Sequence, residues 1–293
     1  MGKQDMAMLG AIYRMPLEKL HPHPQNPFAI RDDAAMQELI NSVRDNGVLN
    51  PALARPRKEG GYELISGHRR KHACALNGQE TIPVIIMNIT DDEAIIRMVD
   101  SNIQRENILP SERAKAYKLK MEAVKRRAGR PAKDEVENSP KISANFRSDD
   151  SVGANEGISG DTVRNIISLT NLTPQLMQMV DEGKIALTPA YQLAALSQEE
   201  QALLLETIDS EQATPSLSQA QRMKKLSQTG DLNEDTMLSI MMEQKKPVKN
   251  DIVLSGEKLR KYFPKSYTPM QMENTIFKLL DAWLRKRQRD NSR

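Results

Sequence analysis

The chain has a single cysteine, Cys74, in 293 residues. No intramolecular disulfide framework and no multi-cysteine metal site can be built from one thiol. Aromatic residues make up only 4%, so any core must be aliphatic and assembled mainly from helices. No stretch approaches the run of about 18 apolar residues that a membrane-crossing helix needs. The first nine residues lack a basic region followed by an apolar run, so no secretory leader is expected and a cytoplasmic location is. A large net charge is missing too: 42 Lys and Arg face 39 Asp and Glu, a balance of +3. Bulk charge therefore does not by itself point to nucleic acid.

The distribution of charge says more. Between Lys118 and Lys133 seven Lys and Arg (118, 120, 125, 126, 127, 130, 133) face one acid, Glu122. Between Lys278 and Arg293 six (278, 285, 286, 287, 289, 293) face Asp281 and Asp290. Clustered charge sets up a local field that the total hides. The bland alternative is a solvated helix face.

Residues 1 to about 105 alternate short strands and helices. Met36, Leu39, Ile40 and Val43 follow helical spacing, with Asp32-Asp33 as caps and Gly47 as the stop. Ala52–Ala54 and Tyr62–Ile65 read as strands around a turn at 58–61. A short helix is expected from Arg69 to Asn77, a buried strand over Ile82–Met87, and another helix opening at Asp91-Asp92.

From Pro110 onward the pattern is helical. Tyr117, Met121 and Val124 share a face, and polar residues 128–148, with Gly129, Pro131 and Pro140, read as a linker. Thr173-Pro174, Thr188-Pro189 and Thr268-Pro269 each set a capping residue before a proline. Ser197 to Glu200 is a capping box. Residues 244–251 read as a second linker. The last helix is expected to bury Met272, Ile276, Leu279, Leu280 and Trp283, with Trp283 anchoring a helix pair or a dimer interface. The fold class expected is α+β: a small α/β domain over 1–108, an all-helical domain over 109–230, and a short helical region over 231–293.

Two segments carry chemistry. In Ile65-Ser66-Gly67-His68-Arg69-Arg70-Lys71-His72 a strand ends at a glycine and a helix begins at once. Helix-start amides favour an anion, the glycine admits close approach, and three cations follow. A surface basic turn is the plain alternative. Asp100-Ser101-Asn102-Ile103-Gln104-Arg105-Glu106-Asn107 is rich in oxygen donors that suit Mg²⁺ or phosphate; a polar helix end is the plain alternative. His68 and His72 are four apart but lack a third ligand nearby. Cys74 reads as a small core residue.

Residues 149–170 read as a helix-turn-helix, with Asp149–Asn155 first, a turn at 156–159, and a recognition helix over Gly160–Thr170. Val163, Ile166, Ile167 and Thr170 would face inward. Ser159, Asp161, Thr162, Arg164, Asn165 and Ser168 are the candidate DNA contacts, since Arg suits guanine and Asn suits adenine in the major groove. The loop Arg126–Lys133 has a Gly129-Arg130-Pro131 core that would lay Arg130 along an A·T-rich minor groove or serve as a charged linker.

Gly67-His68-Arg69-Arg70 followed by Ser101-Asn102-Ile103-Gln104-Arg105-Glu106-Asn107 resembles the ParB family of chromosome and plasmid partition proteins. The opening His21-Pro22-His23-Pro24-Gln25-Asn26-Pro27, the run Asn46–Pro51 and Thr81-Ile82-Pro83-Val84-Ile85 agree with that likeness. Glu182-Gly183-Lys184-Ile185 resembles the family's continuing helical domain. The resemblance implies CTP and Mg²⁺ in the N-terminal domain, double-stranded DNA as partner, a homodimer that closes as a clamp, and a ParA-type ATPase. It implies that Arg31, Gly67, His68, Arg69, Arg70, Asn102 and Arg105 surround the nucleotide, with Asn102 toward Mg²⁺.

Two positions depart from the family pattern. His68 and Ser101 each stand where the family has glutamate. Losing both carboxylates removes charge that would hold Mg²⁺ and orient a water. No catalytic residue is therefore assigned, and CTP hydrolysis is expected to be weak or absent. Residues 228–293 match no family pattern and suggest a plasmid or integrated mobile element. The competing functions are a local transcriptional regulator and a ParB-like nuclease or nucleotide hydrolase.

Overall fold

The computed structural model describes residues 11–105, 108–128, 148–243, 259–264 and 266–290. The chain divides into two compact units, 1–243 and 244–293. The fold is α+β: a mixed sheet with three helices, followed by helices alone. Strands β1 (Ile12–Pro16), β2 (Leu20–Pro22), β3 (Ala52–Pro56), β4 (Tyr62–Ser66) and β5 (Thr81–Ile86) form one sheet in the order β1-β5-β3-β4-β2. β3 pairs antiparallel with β4 and parallel with β5.

Alternation in β5 decides which face is buried. Ile82, Val84 and Ile86 are buried while Thr81, Pro83 and Ile85 are half-buried. The continuous apolar run thus fills one face completely and the other in part. Helix α1 (Ala34–Asn46) covers this core with Met36 and Val43. Asp33 caps it by accepting from the Met36 amide at 2.8 Å, and Gly47 ends it at φ 69°. Helix α2 (His68–Leu76) starts one residue earlier than its charge pattern suggests, because Gly67 is the N-cap at φ 103°. Cys74 is buried in the same core, as its size predicts. Helix α3 (Asp91–Ile103) opens with a Thr90–Glu93 capping box.

Helix α4 (Pro110–Ala128) begins the second, larger core. Tyr117 and Met121 are buried on it and Val124 packs alongside. Then follow α5 (Ser148–Gly153), a 3₁₀ turn (Ala154–Glu156) and α6 (Gly160–Ser168). These are the two helices of the expected helix-turn-helix, each shorter than expected. α6 passes at Leu169 into a second 3₁₀ turn (Leu169–Asn171). Tighter winding turns Leu169 inward in place of Thr170, which is half-buried. Val163 and Ile166 are buried as expected.

The helical core continues through α7 (Pro174–Asp181), α8 (Leu187–Leu193), α9 (Gln198–Glu211), α10 (Leu217–Thr229) and α11 (Glu234–Met242). Thr173 precedes Pro174 at the first position of α7, and Ser197 forms the capping box of α9. Thr188 does not cap. α8 starts at Leu187 after Ala186 as N-cap, which places Pro189 inside the first turn. Amides there have no helical acceptor, so a proline costs little. In the second unit α12 (Pro269–Asp290) is capped by Thr268, which accepts from Gln271 at 3.3 Å. Met272 is buried, but Leu279, Leu280 and Trp283 are 63%, 52% and 56% exposed. The amphipathic pattern is real, and those three side chains are not covered within the chain's described residues.

Gly153 closes the helix-turn-helix. A Cβ there would collide with the Ile158 carbonyl oxygen and lie 3.0 Å from Val163 Cγ2. Gly153→Ala should therefore lower stability by about 1–3 kcal/mol. Thermal denaturation of the full chain checks this; an unchanged melting temperature would contradict the close approach.

Candidate nucleotide cleft and DNA-reading helix

The strand β4 delivers Gly67 to the start of α2. A Cβ on Gly67 would lie 2.7 Å from that of Ala52, so both the left-handed backbone and the close packing require glycine. This turn borders a cavity of about 340 Å³ lined by Ala35, Leu39, Ser66, Gly67, Arg69, Arg70, Ser101 and Arg105. A second cavity of about 340 Å³ shares Ala35, Arg69 and Arg105 and extends past Phe28, Arg31, Asp33, Gln104 and Glu112. Together they form one cleft between α1, α2 and the end of α3.

Its charge is one-sided. Burial, with Arg69 and Arg70 nearby, lowers the pKa of Arg105. Burial lowers that of Arg70 too. Both shifts mark cations held where positive charge is costly, which a polyanion would relieve. The Arg105 guanidinium also lies 6.0 Å from the Phe28 ring centroid.

The carboxylates that line the cleft are already engaged. Asp33 caps α1 and pairs with Arg69 at 3.5 Å. Glu112 accepts from Arg31, from the Ala29 amide at 3.1 Å and from the Leu109 amide at 3.3 Å. Among the described residues no three His, Cys, Asp or Glu are grouped to hold a metal. The described lining thus offers cations to a polyanion but no carboxylate cage for Mg²⁺.

The expected nucleotide residues do not all play one role. Gly67, Arg69, Arg70 and Arg105 line the end of the cleft at the start of α2, and Arg31 lines the other end while paired to Glu112. Arg70 also donates to the carbonyls of Asn50 and Pro51, so it braces the sheet as well. Asn102 is 2% exposed and its amide donates to the Met98 carbonyl at 2.7 Å. Ser101, its neighbour, is the residue that lines the cleft. His68 does not line it. The sequence reading missed Phe28 and Glu112; the lone aromatic after Asn26-Pro27 was the available signal for the first. Glu106, Asn107 and Arg130 lie outside the described residues.

On α6, Asp161, Thr162, Arg164 and Asn165 are exposed and Ser168 is half-exposed. Ser159 caps the helix by accepting from the Thr162 amide at 3.2 Å. Arg164 pairs with Asp149 and Asp161. Polar groups thus stand on one face and Val163 and Ile166 on the other, as a major-groove reader requires.

The ParB N-terminal domain model matches residues 1–103, and the ParB helix-turn-helix model matches residues 142–226. The chain belongs to the ParB family. One relative is the chromosome-partitioning protein Spo0J of Thermus thermophilus, 29% identical over 195 residues, covering 64% of this chain and 62% of that protein. Another is the chromosome-partitioning protein ParB of Myxococcus xanthus, 32% identical over 125 residues, covering 42% of each chain. The matched part therefore spans less than two thirds of either curated relative. Among solved structures, the C-terminally truncated ParB of Caulobacter crescentus complexed to the centromeric parS site is similar at 21% identity and TM-score 0.46, covering 73% of this chain and 98% of that chain. No described helix is long and apolar enough to cross a membrane.

His68, behind the ParB-type cleft, is 8% exposed and its Nε2 has no partner. Burial first, then Arg105, Lys71 and His23, lowers its pKa from 6.5 to about 4. The unfolded chain therefore binds the proton that the folded chain refuses between those values. Stability from this residue is complete above pH 6.5 and is lost as pH falls toward 4. The full loss is about 3 kcal/mol at most. His23 is lowered as well, chiefly by burial, and adds in the same sense. Urea unfolding from pH 7 to 4 should show this decline, and His68→Gln should flatten it. An equal slope in that variant would remove His68 as its source.

Proposed function

We propose that this chain is a DNA-binding partition protein of the ParB type that holds CTP in the cleft and reads a specific DNA site with α6. The observation that carries the reading is the cleft itself. Arg69, Arg70 and Arg105 converge on a glycine-started helix, and the lining carboxylates Asp33 and Glu112 are engaged. Such a site binds a triphosphate by charge and helix-start amides. Among the described residues it has no unengaged lining carboxylate to orient an attacking water, so on this reading CTP is held far longer than it is hydrolysed. That also argues against the nuclease alternative. Mg²⁺ enters, on this reading, as an ion carried by the triphosphate rather than one caged by the protein.

The proposed working form is a homodimer, with the exposed face of α12 (Phe277, Leu280, Trp283 and Leu284) as its apolar contact. A ParA-type ATPase is the proposed partner. The proposed place is the cytoplasm, on a plasmid, an integrated element or the nucleoid.

Calorimetry with CTP and Mg²⁺ should give saturable binding, reduced at least about tenfold in Arg105→Ala through loss of one charge-assisted contact. Phosphate release should stay near background. CTP should prolong retention on closed circular DNA and lose that effect once the DNA is linearised. No CTP binding by the wild-type chain, or rapid turnover, would overturn the reading.

For DNA reading, Arg164→Ala should cost about 1–3 kcal/mol on the cognate site and relax specificity at one base pair. Fluorescence anisotropy on cognate and single-substituted duplexes measures both. A uniform loss on every duplex would assign Arg164 to phosphate instead.

A further inference from the structure

Helix α4 buries a lysine. Lys120 is 2% exposed, and its ammonium lies 2.6 Å from Asp100 Oδ1 on α3 and donates to the Val152 carbonyl on α5 at 2.9 Å. Val152 stands in the last turn of α5, where carbonyls have no helical donor, so the ammonium caps that helix end. Asp100 stands in the last turns of α3, one residue before the cleft-lining Ser101 and five before Arg105. One buried cation therefore touches the helix that ends in the cleft and the helix that leads into α6.

Its stabilising value does not explain it. A buried ion pair is commonly neutral or worse for stability than apolar side chains of equal volume. What it adds is geometry: the ammonium can satisfy Asp100 and Val152 together only while α3 and α5 keep their present spacing. We propose that Lys120 is a positioning residue that couples the cleft to the helix-turn-helix. A polyanion drawn onto Arg69 and Arg105 pulls on the last turn of α3, shifts Asp100, and changes the hold of Lys120 on α5. A second α3–α4 pair, Arg126 with Asp92 at 2.7 Å, does not reach α5, and its arginine is 52% exposed. It serves as the control.

This inference rests on the proposed CTP reading. The test uses the full chain and a labelled duplex that wild-type protein selects from random sequence without nucleotide. DNA affinity is measured at fixed salt with and without saturating CTP and Mg²⁺, and CTP affinity with and without that duplex. Coupling factors of about 5–150-fold are usual between linked sites, and the two ratios must agree by reciprocity. Lys120→Met and Asp100→Asn should bring the ratio to within about twofold of one, while CTP affinity without DNA stays within about threefold of wild type. Arg126→Ala should keep the wild-type ratio. Asp100→Asn keeps the shape of the site and decides the matter where Lys120→Met fails to fold. Variants that fold, bind both ligands and retain the wild-type ratio overturn the inference alone. A wild-type chain that binds no CTP overturns the CTP reading and the inference together. A wild-type chain that binds CTP with a ratio of one overturns only the inference.

Discussion

Helix α4 joins the sheet half of the described residues to the helical half. It is packed against α3 on one side and against α5, α6 and α7 on the other, so it cannot hide its polar groups in solvent. Three of them point into protein. Glu112 holds the Ala29 amide and Arg31, Tyr117 donates to Glu156 at 2.5 Å, and Lys120 joins Asp100 to Val152. Glu112 reaches toward the sheet half, Tyr117 toward the helix-turn-helix, and Lys120 toward both. Burial and the Glu156 bond raise the Tyr117 pKa well above its ordinary value, so it remains a donor at any working pH. Each such bond to a charged group contributes about 1.5–3 kcal/mol net, and leaving a charged group unsatisfied costs more. The two halves are thereby joined by bonds that fix angles, beyond what apolar contact alone would fix.

The same economy shapes the cleft. Glu112 is spent on joining the halves and Asp33 on capping α1, so the lining arginines face little free negative charge. His68, where the family has a carboxylate, is neutral at pH 7 and contributes none. A site left this positive attracts a polyanion strongly. Polarising a water needs a base within hydrogen-bond reach, and the described lining carboxylates are already paired. On the proposed CTP reading, tight holding and slow turnover share one cause, the prior commitment of the described carboxylates nearby.

Local rules were legible in the sequence. Caps at Asp33, Ser197 and Thr268 and the stop at Gly47 obey backbone chemistry that neighbours do not alter. Gly67 could be placed because only glycine meets its backbone requirement. Tertiary commitments were not legible. Nothing in the charge run from Lys118 to Lys133 distinguishes Lys120, which is buried, from Lys118, which is exposed. The run reads as a uniform basic stripe until the partners Asp100 and Val152 are in place. The amphipathic pattern of α12 failed for the opposite reason. Periodicity shows that a face is apolar, but not that anything within the chain covers it. Strand β2 was missed because it has only three residues, and β1, as long as β3, because it lies at a sheet edge with Met15 its only buried residue.

Arg164 shows how the reading face can be selective before DNA arrives. Its guanidinium is shared by Asp161, which is 82% exposed, and Asp149, which is 13% exposed. Exposed ion pairs are worth about 0–1 kcal/mol, and a bidentate contact separates guanine from a wrong base by about 1–3. On the proposed DNA reading, giving up the Asp161 pair costs less than the guanine contact adds in discrimination. Asp149, more buried, keeps its grip and fixes the direction of the fork. Because Asp149 sits on α5, the helix that Lys120 caps, a change in the position of α5 alters the aim of the arginine on α6.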